Sequence, residues 1–165
     1  MTAPFLVDSN FFIQAHRMHY PIDVVPGFWM KIKELATKGV ILSIDKVRDE
    51  LLLNKDDLSI WCEENLDKVF FKNTDEVINE YIRVTTWANS KKNHYKTTAL
   101  NEFLEASEAD AWLVACALKD TCKIVTHEVS QPDGKKKIKI PDAAQPFNIA
   151  CVNTIEMFRL LGEQF

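Results

Sequence analysis

Four acidic residues stand where short apolar runs give way to helices or loops. Asp8 directly follows Phe5-Leu-Val7. Glu50 lies nearly two turns into the helix expected after the apolar run at residues 40–43. Asp110 falls in the first turn of a later helix. Glu128 comes two residues after Thr126, at the end of the run at residues 123–126. In an open α/β sheet, ligands bind outside the carboxyl ends of the strands, so the four acids are expected to converge on one edge. Carboxylates a few ångström apart repel and raise one another's pKa. A divalent cation relieves that repulsion. Hard oxygen donors with few protein contacts suit Mg2+ or Mn2+, which keep part of their water shell and bind substrate phosphates. The chemistry implied is phosphodiester hydrolysis, with water as nucleophile and the cation offsetting transition-state charge.

Each acid also has an ordinary reading. Asp8 is a good N-cap for the helix after it. Glu50 alone is a solvated helix residue. Ser107-Glu-Ala-Asp110 resembles a capping box, although that motif prefers Glu or Gln in its last place. Glu128 alone is a surface loop acid. The ordered combination, rather than any single residue, carries the functional reading.

The elements that must position these residues alternate in type. Residues 5–7, 40–43, 69–71, 123–126 and 147–152 read as buried strands. Helices are expected over residues 10–18, 26–39, 44–53, 58–66, 74–89, 100–104, 108–118 and 154–161, with Thr74, Ser107 and Asn153 as N-caps. Pro132-Asp-Gly134, followed by Lys-Ile-Lys-Ile, predicts a hairpin-like excursion between strands four and five. Strand–helix alternation of this kind predicts an α/β fold with a central, mostly parallel sheet of about five strands. Trp29, Trp61, Trp87 and Trp112 lie at helical spacing with apolar neighbours and read as core.

The chain has 165 residues, 47% hydrophobic and 27% charged, which suits one globular domain over residues 1–165. Twenty-four acids against twenty bases leave a net charge of -4, so any nucleic-acid binding must use local basic patches or metal ions. Four glycines leave no Gly-rich phosphate loop, which argues against P-loop and dinucleotide-binding chemistry. No apolar run approaches the roughly 20 residues of a membrane span. The opening segment has neither a basic region nor a long apolar stretch, unlike a secretory leader. Cys62, Cys116, Cys122 and Cys151 lack CxxC spacing, and Cys116 and Cys151 read as buried thiols, suited to a reducing cytoplasm.

On these residues the sequence resembles the PIN domain family of metal-dependent ribonucleases. The matching segments are Val7-Asp8-Ser9-Asn10, Val47-Arg-Asp-Glu50-Leu, Ala109-Asp110-Ala-Trp-Leu-Val-Ala115 and Val125-Thr126-His-Glu128, in the expected order. Within PIN domains it is most similar to an uncharacterised bacterial branch carrying Pro26-Gly-Phe-Trp29, the Val-Thr-His-Glu segment and Ile140-Pro-Asp142. The resemblance implies a PIN-like three-layer fold and a Mg2+- or Mn2+-dependent endoribonuclease. It points to the toxin of a toxin–antitoxin pair, with an antitoxin protein as partner and a homodimer as a further association. Carried over residue by residue, Asp8 is the central metal ligand and Asp110 the second. Glu50 binds directly or through water. Glu128, where many members have Asp, completes the site or holds a second ion. Ser9 or Asn10 orients a ligand or the scissile phosphate, and Thr126 positions Glu128 or a metal water.

RNA contacts are expected from Lys91, Lys92 and Lys96 in one basic run and Lys135, Lys136 and Lys137 in another, although such runs are usually just solvated charge. Tyr95 is a candidate for stacking on an unpaired base. His16 and His19 form an HxxH pair without the further ligands that zinc needs, and His127 reads as a surface residue at the site's edge. Two rival functions remain at this stage. One is a non-catalytic PIN-like protein-interaction module, in which the acids cap helices or bind a basic partner. The other is a DNA nuclease, for which the chain lacks a helical arch or helix–hairpin–helix signature.

Overall fold

Every strand of the sheet is short, and the apolar residues of the three central strands are mostly buried. A computed structural model describes residues 3–165; Met1 and Thr2, part of the opening segment read above, lie outside them. Strand β1 (Phe5–Val7) leads into helix α1 (Ser9–Gln14), which continues as a π-helical turn (Ala15–His19). Helix α2 (Pro26–Thr37) starts on a proline at its first position, where the missing N–H costs nothing, and ends before Gly39, whose φ is +71°. Then come β2 (Ile41–Ile44), α3 (Asp45–Leu53), α4 (Asp57–Asn65), β3 (Phe71–Lys72), a 3-10 turn (Thr74–Val77), α5 (Ile78–Ser90) and α6 (Thr97–Leu104). The chain closes with α7 (Ala109–Asp120), β4 (Lys123–Val125), α8 (Ile140–Ala144), a 3-10 turn (Gln145–Phe147), β5 (Cys151–Val152) and α9 (Thr154–Leu161).

The five strands pair in the order β3-β2-β1-β4-β5, all parallel. Leu6 lies between Leu42 and Ile124, and Val7 beside Val125. Leu6, Val7, Ile41, Ile44, Ile124 and Val125 are fully buried, as expected of a parallel sheet covered by helices on its faces. The architecture is α/β and consistent with the three-layer arrangement expected. Helix α7 packs on β2 and β4 among α3, α5, α6 and α8. Around α2, Phe28 stacks on Tyr20 at 4.4 Å and meets Phe11, Phe158 and Phe165 edge-on or tilted. Trp29 is buried beside Trp61, while Trp61, Trp87 and Trp112 are partly buried against the core. Among the described residues, no helix is long and apolar enough to cross a membrane.

Several local expectations need correction. Residues 126–139 form no hairpin: a turn closes from Gly134 N–H to the Gln131 carbonyl, and no strand follows. The Lys-Ile-Lys-Ile alternation instead buries Ile138 and Ile140 in the core. Ser107 caps nothing. Helix α7 starts at Ala109 behind Glu108, and the Ser107 hydroxyl turns to Glu105. Asn73, not Thr74, caps the turn before α5, because Thr74 donates its hydroxyl and N–H to the Asp45 carboxylate. β5 is confined to Cys151–Val152, since Pro146 lacks a donor and Asn148 takes a left-handed φ of 58°. Cys151 is half-buried; the other three cysteines are buried.

Where β1 ends, its last carbonyl is met by a side chain. The buried Ser43 hydroxyl donates to the Val7 carbonyl at 2.7 Å. Removing a buried donor leaves its acceptor unsatisfied. Ser43→Ala should therefore destabilise the protein by about 1–2 kcal/mol, seen as a lower urea midpoint at unchanged slope.

Candidate active site

The strand order reverses direction between β1 and β4. The chain runs outward from β1 to β2 and β3, then returns to the other side of β1 with β4 and β5. Connections leaving two adjacent strands on opposite sides open a crevice at their carboxyl ends, the usual ligand position in such sheets. Asp8 follows β1 there, and Thr126 and Glu128 follow β4.

Asp8 is buried and does two jobs. Its Oδ1 accepts the Phe11 N–H at 2.8 Å, capping α1. Its Oδ2 accepts the Thr126 hydroxyl at 2.7 Å. The ordinary capping role is thus real and leaves lone pairs on both oxygens. Thr126, also buried, accepts the Glu128 N–H at 3.1 Å, so one hydroxyl joins the two strand ends. The Glu128 carboxylate takes the Ile140 N–H on Oε2 at 2.9 Å and Lys137 Nζ on Oε1 at 3.3 Å. Helix α7 brings Asp110 to the same crevice in its first turn. There it is half-buried, beside Glu108, Phe103 and Lys137. With Ser107 removed as a cap, no capping box claims this residue. Among the described residues, its carboxylate accepts no hydrogen bond. Glu50, half-buried on α3, accepts none either. Its charge acts on Asp8, Glu108 and Asp110.

The electrostatics follow from this crowding. Burial pushes the Asp8 carboxyl up to about 7, against the hydrogen bonds from Thr126 and Phe11 that favour its charged form; Glu128 and Glu50 add to the rise. Asp110 is also pushed up to about 7, first by burial and then by Glu128, Asp8 and Glu50, with Lys137 opposing. Burial lowers Lys137, and the acids Glu128 and Asp110 more than offset it, holding the ammonium above its ordinary value.

The donor set is all carboxylate oxygen. Among the described residues, no three His, Cys, Asp or Glu side chains close on one point as a ready cage. Unneutralised carboxylates repel, and Mg2+ usually takes only one or two protein carboxylates and keeps its waters. The Asp110 carboxylate, without a hydrogen-bond partner among the described residues and within reach of the Asp8 charge, fits such an ion.

The remaining expected residues are placed as follows. Ser9 and Asn10 open α1 next to Asp8, half-buried, with no side-chain hydrogen bond among the described residues. Lys91, Lys92, Lys96, Lys135 and Lys136 are exposed. Their two runs lie side by side: the Lys96 N–H donates to the Lys135 carbonyl at 2.9 Å, and His94 Nε2 is 3.1 Å from the Gly134 carbonyl oxygen. Lys137 is half-buried and turned into the crevice. Tyr95 is buried against the core and is unavailable for stacking on a base. His16 packs edge-on to Trp29, and His19 lies 6.0 Å from His127, so the HxxH pair forms no metal site. The sequence reading missed Ser43, whose hydroxyl holds the chain just before Asp8; a lone serine in an apolar run is its only signal.

The chain matches over residues 5–165 the model of the family described as a domain of unknown function, DUF4411, and belongs to that family. No curated protein and no solved structure gives a match.

A carboxyl whose pKa is higher folded than unfolded keeps its proton in the folded state after the unfolded chain has lost it. Its stabilising effect is full below pH 3.8, the ordinary value, and is lost as pH rises through about 7. The cation-free protein should therefore lose on the order of 2–4 kcal/mol between pH 5 and pH 8. Asp110→Asn should flatten that slope, and Mn2+ should restore stability most at pH 8, where it meets ionised carboxylates. Urea titrations across pH, with and without Mn2+, measure all three effects.

Proposed function

We propose that this chain is a Mg2+- or Mn2+-dependent endoribonuclease of the PIN type, hydrolysing RNA phosphodiesters with water as the nucleophile. What supports the reading is that Asp8, Asp110, Glu128 and Glu50 act on one another's charge near the reversal point of the sheet. Two of these carboxyls, Asp8 and Asp110, are raised by burial and by the charges of Glu128 and Glu50, with Asp8 adding to the rise at Asp110. Strongly perturbed acids in a crevice mark a candidate functional site.

When bound, the cation supplies an activated water and offsets charge on the phosphorus centre. The chain's residues do the rest. Asp8, fixed by Phe11 and Thr126, and Asp110, without a hydrogen-bond partner among the described residues, would hold the ion. Glu50 adds a ligand directly or through water. Glu128, with both oxygens already engaged, completes the negative field. Ser9 and Asn10 lie where a ligand or the scissile phosphate is oriented. Cleavage leaves a phosphate ester on one fragment and a hydroxyl on the other. The joined runs bearing Lys91, Lys92, Lys96, Lys135 and Lys136 offer a local basic surface to the RNA backbone, which an acidic protein needs.

The narrower assignment, toxin of a toxin–antitoxin pair, draws on the likeness to small PIN proteins. A neighbouring gene for a small DNA-binding protein, able to cover the acidic crevice, is what it requires.

Cleavage of labelled RNA and DNA with Mg2+, Mn2+ or EDTA tests the activity. RNA should be cut only with the cation. Asp8→Asn and Asp110→Asn should each slow cleavage at least about 100-fold, a barrier change of roughly 2.7 kcal/mol. Variants as fast as the parent under matched cation overturn the mechanism. Charge reversal of Lys135 and Lys136 together should weaken RNA binding and shallow its salt dependence by about two phosphate contacts.

A further inference from the structure

Among the described residues, Lys137 is the basic side chain that lines the small acidic cleft beside Asp110, partly exposed at its edge. It belongs to residues 126–139, which form no strand, yet its setting is tightly determined. Ile138 and Ile140, one and three residues after it, are buried to 2% and 1% exposure. Its partner Glu128 is only 8% exposed at the side chain and is held by the Ile140 N–H and, through its own N–H, by Thr126. The ammonium reaches Glu128 Oε1 at 3.3 Å. It also acts on Asp110, and Glu102 and Glu108 line the same small cleft. Lys135 and Lys136, the residues just before it, are exposed. The chain thus turns one lysine of a basic run inward, towards the carboxylates that repel each other.

We propose that Lys137 is a built-in counter-ion, occupying the acidic crevice in the cation-free protein and competing with the divalent cation for the field of Glu128 and Asp110. The inference rests on the cation site proposed above and adds a residue that opposes its filling. A monovalent ammonium offsets part of the repulsion that a divalent ion offsets more fully, and two cations drawn to the same carboxylates repel each other. Cation binding therefore displaces Lys137 and loosens the segment that carries it.

The consequence has a sign that a merely structural lysine does not produce. Removing a supporting residue weakens cation binding; removing a competitor strengthens it. Mn2+ titration of the full chain, followed by calorimetry and by the electron paramagnetic resonance of free Mn2+, should give about tenfold tighter binding for Lys137→Met and Lys137→Gln, the effect of roughly one pKa unit of neighbouring charge. Lys137→Arg, which keeps the charge, should stay within about twofold of the parent. Unchanged or weaker binding in both neutral variants overturns the proposal. Hydrogen exchange on the parent chain gives a reading without any substitution: Mn2+ should speed exchange of the Lys96 amide, which donates to the Lys135 carbonyl of this segment, and slower or unchanged exchange there also overturns it. Asp8→Asn separates this inference from the one beneath it. If Asp8→Asn leaves Mn2+ binding unchanged, the cation site itself is wrong. If it weakens binding while the neutral Lys137 variants do not tighten it, only the counter-ion is wrong.

Discussion

Carboxylates drawn to the carboxyl edge of a buried parallel sheet repel one another, and the rest of this structure is arranged around that repulsion. Asp8 receives the Phe11 N–H and the Thr126 hydroxyl, contacts that favour its charged form. Neither is enough. A hydrogen bond to a charged group contributes about 1.5–3 kcal/mol, and loss of water around a buried carboxylate costs more. The balance is a group held up near 7 rather than down near its ordinary value. Asp110 lacks even those partners. A fold keeps such groups only where the surrounding structure over-determines them.

That over-determination comes from topology. Asp8 and Thr126 are brought together because β1 and β4 are neighbours in the sheet, although 118 positions separate them in the chain. The Asp8 N–H also donates to the Val125 carbonyl at 3.3 Å, and Ser43 anchors the Val7 carbonyl from β2 on the other side. Three strands thus fix one aspartate. Local helix formation alone would leave Asp8 an ordinary cap. The pairing of β1 with β4 adds the threonine, the second acid and the burial that change its chemistry.

The same distinction separates what was legible in the sequence from what was not. Helices with strong local signals were readable: Pro26 opens α2, and Asn153 caps α9 by accepting the Glu156 N–H. So were β1, β2 and β4, whose apolar runs are too short for helices, while the strand expected at residues 69–71 falls at Phe71–Lys72 and that at 147–152 shrinks to Cys151–Val152. The acids after them could be ordered along the edge because the position of a strand end is itself local information. Where tertiary partners decide, the sequence misleads. Lys-Ile-Lys-Ile has the period of a strand, but its isoleucines serve the core and no strand pairs with it. Ser107 has the chemistry of a cap, but Glu105 takes its hydroxyl. Tyr95 stands in a basic, polar run and is nonetheless buried. Lys137 matches Lys135 and Lys136 in type, and only the folded segment separates its role from theirs.

Helix α7 shows how packing reaches the chemistry. Ala109, Ala111, Ala115, Cys116 and Ala117 are all buried, and the helix lies against β2 and β4 with α3, α5, α6 and α8 around it. The separation of packed elements is set by the side chains between them, and this helix has small ones on nearly every side. It can therefore lie close to the sheet with its first turn at the crevice. Larger residues at Ala109 or Ala111 would hold that turn away and carry Asp110 with it. An ordinary amphipathic helix exposes one polar face; this one gives up that face almost entirely. The placement of a single aspartate thus depends on a run of small residues whose sequence signature is that of plain core.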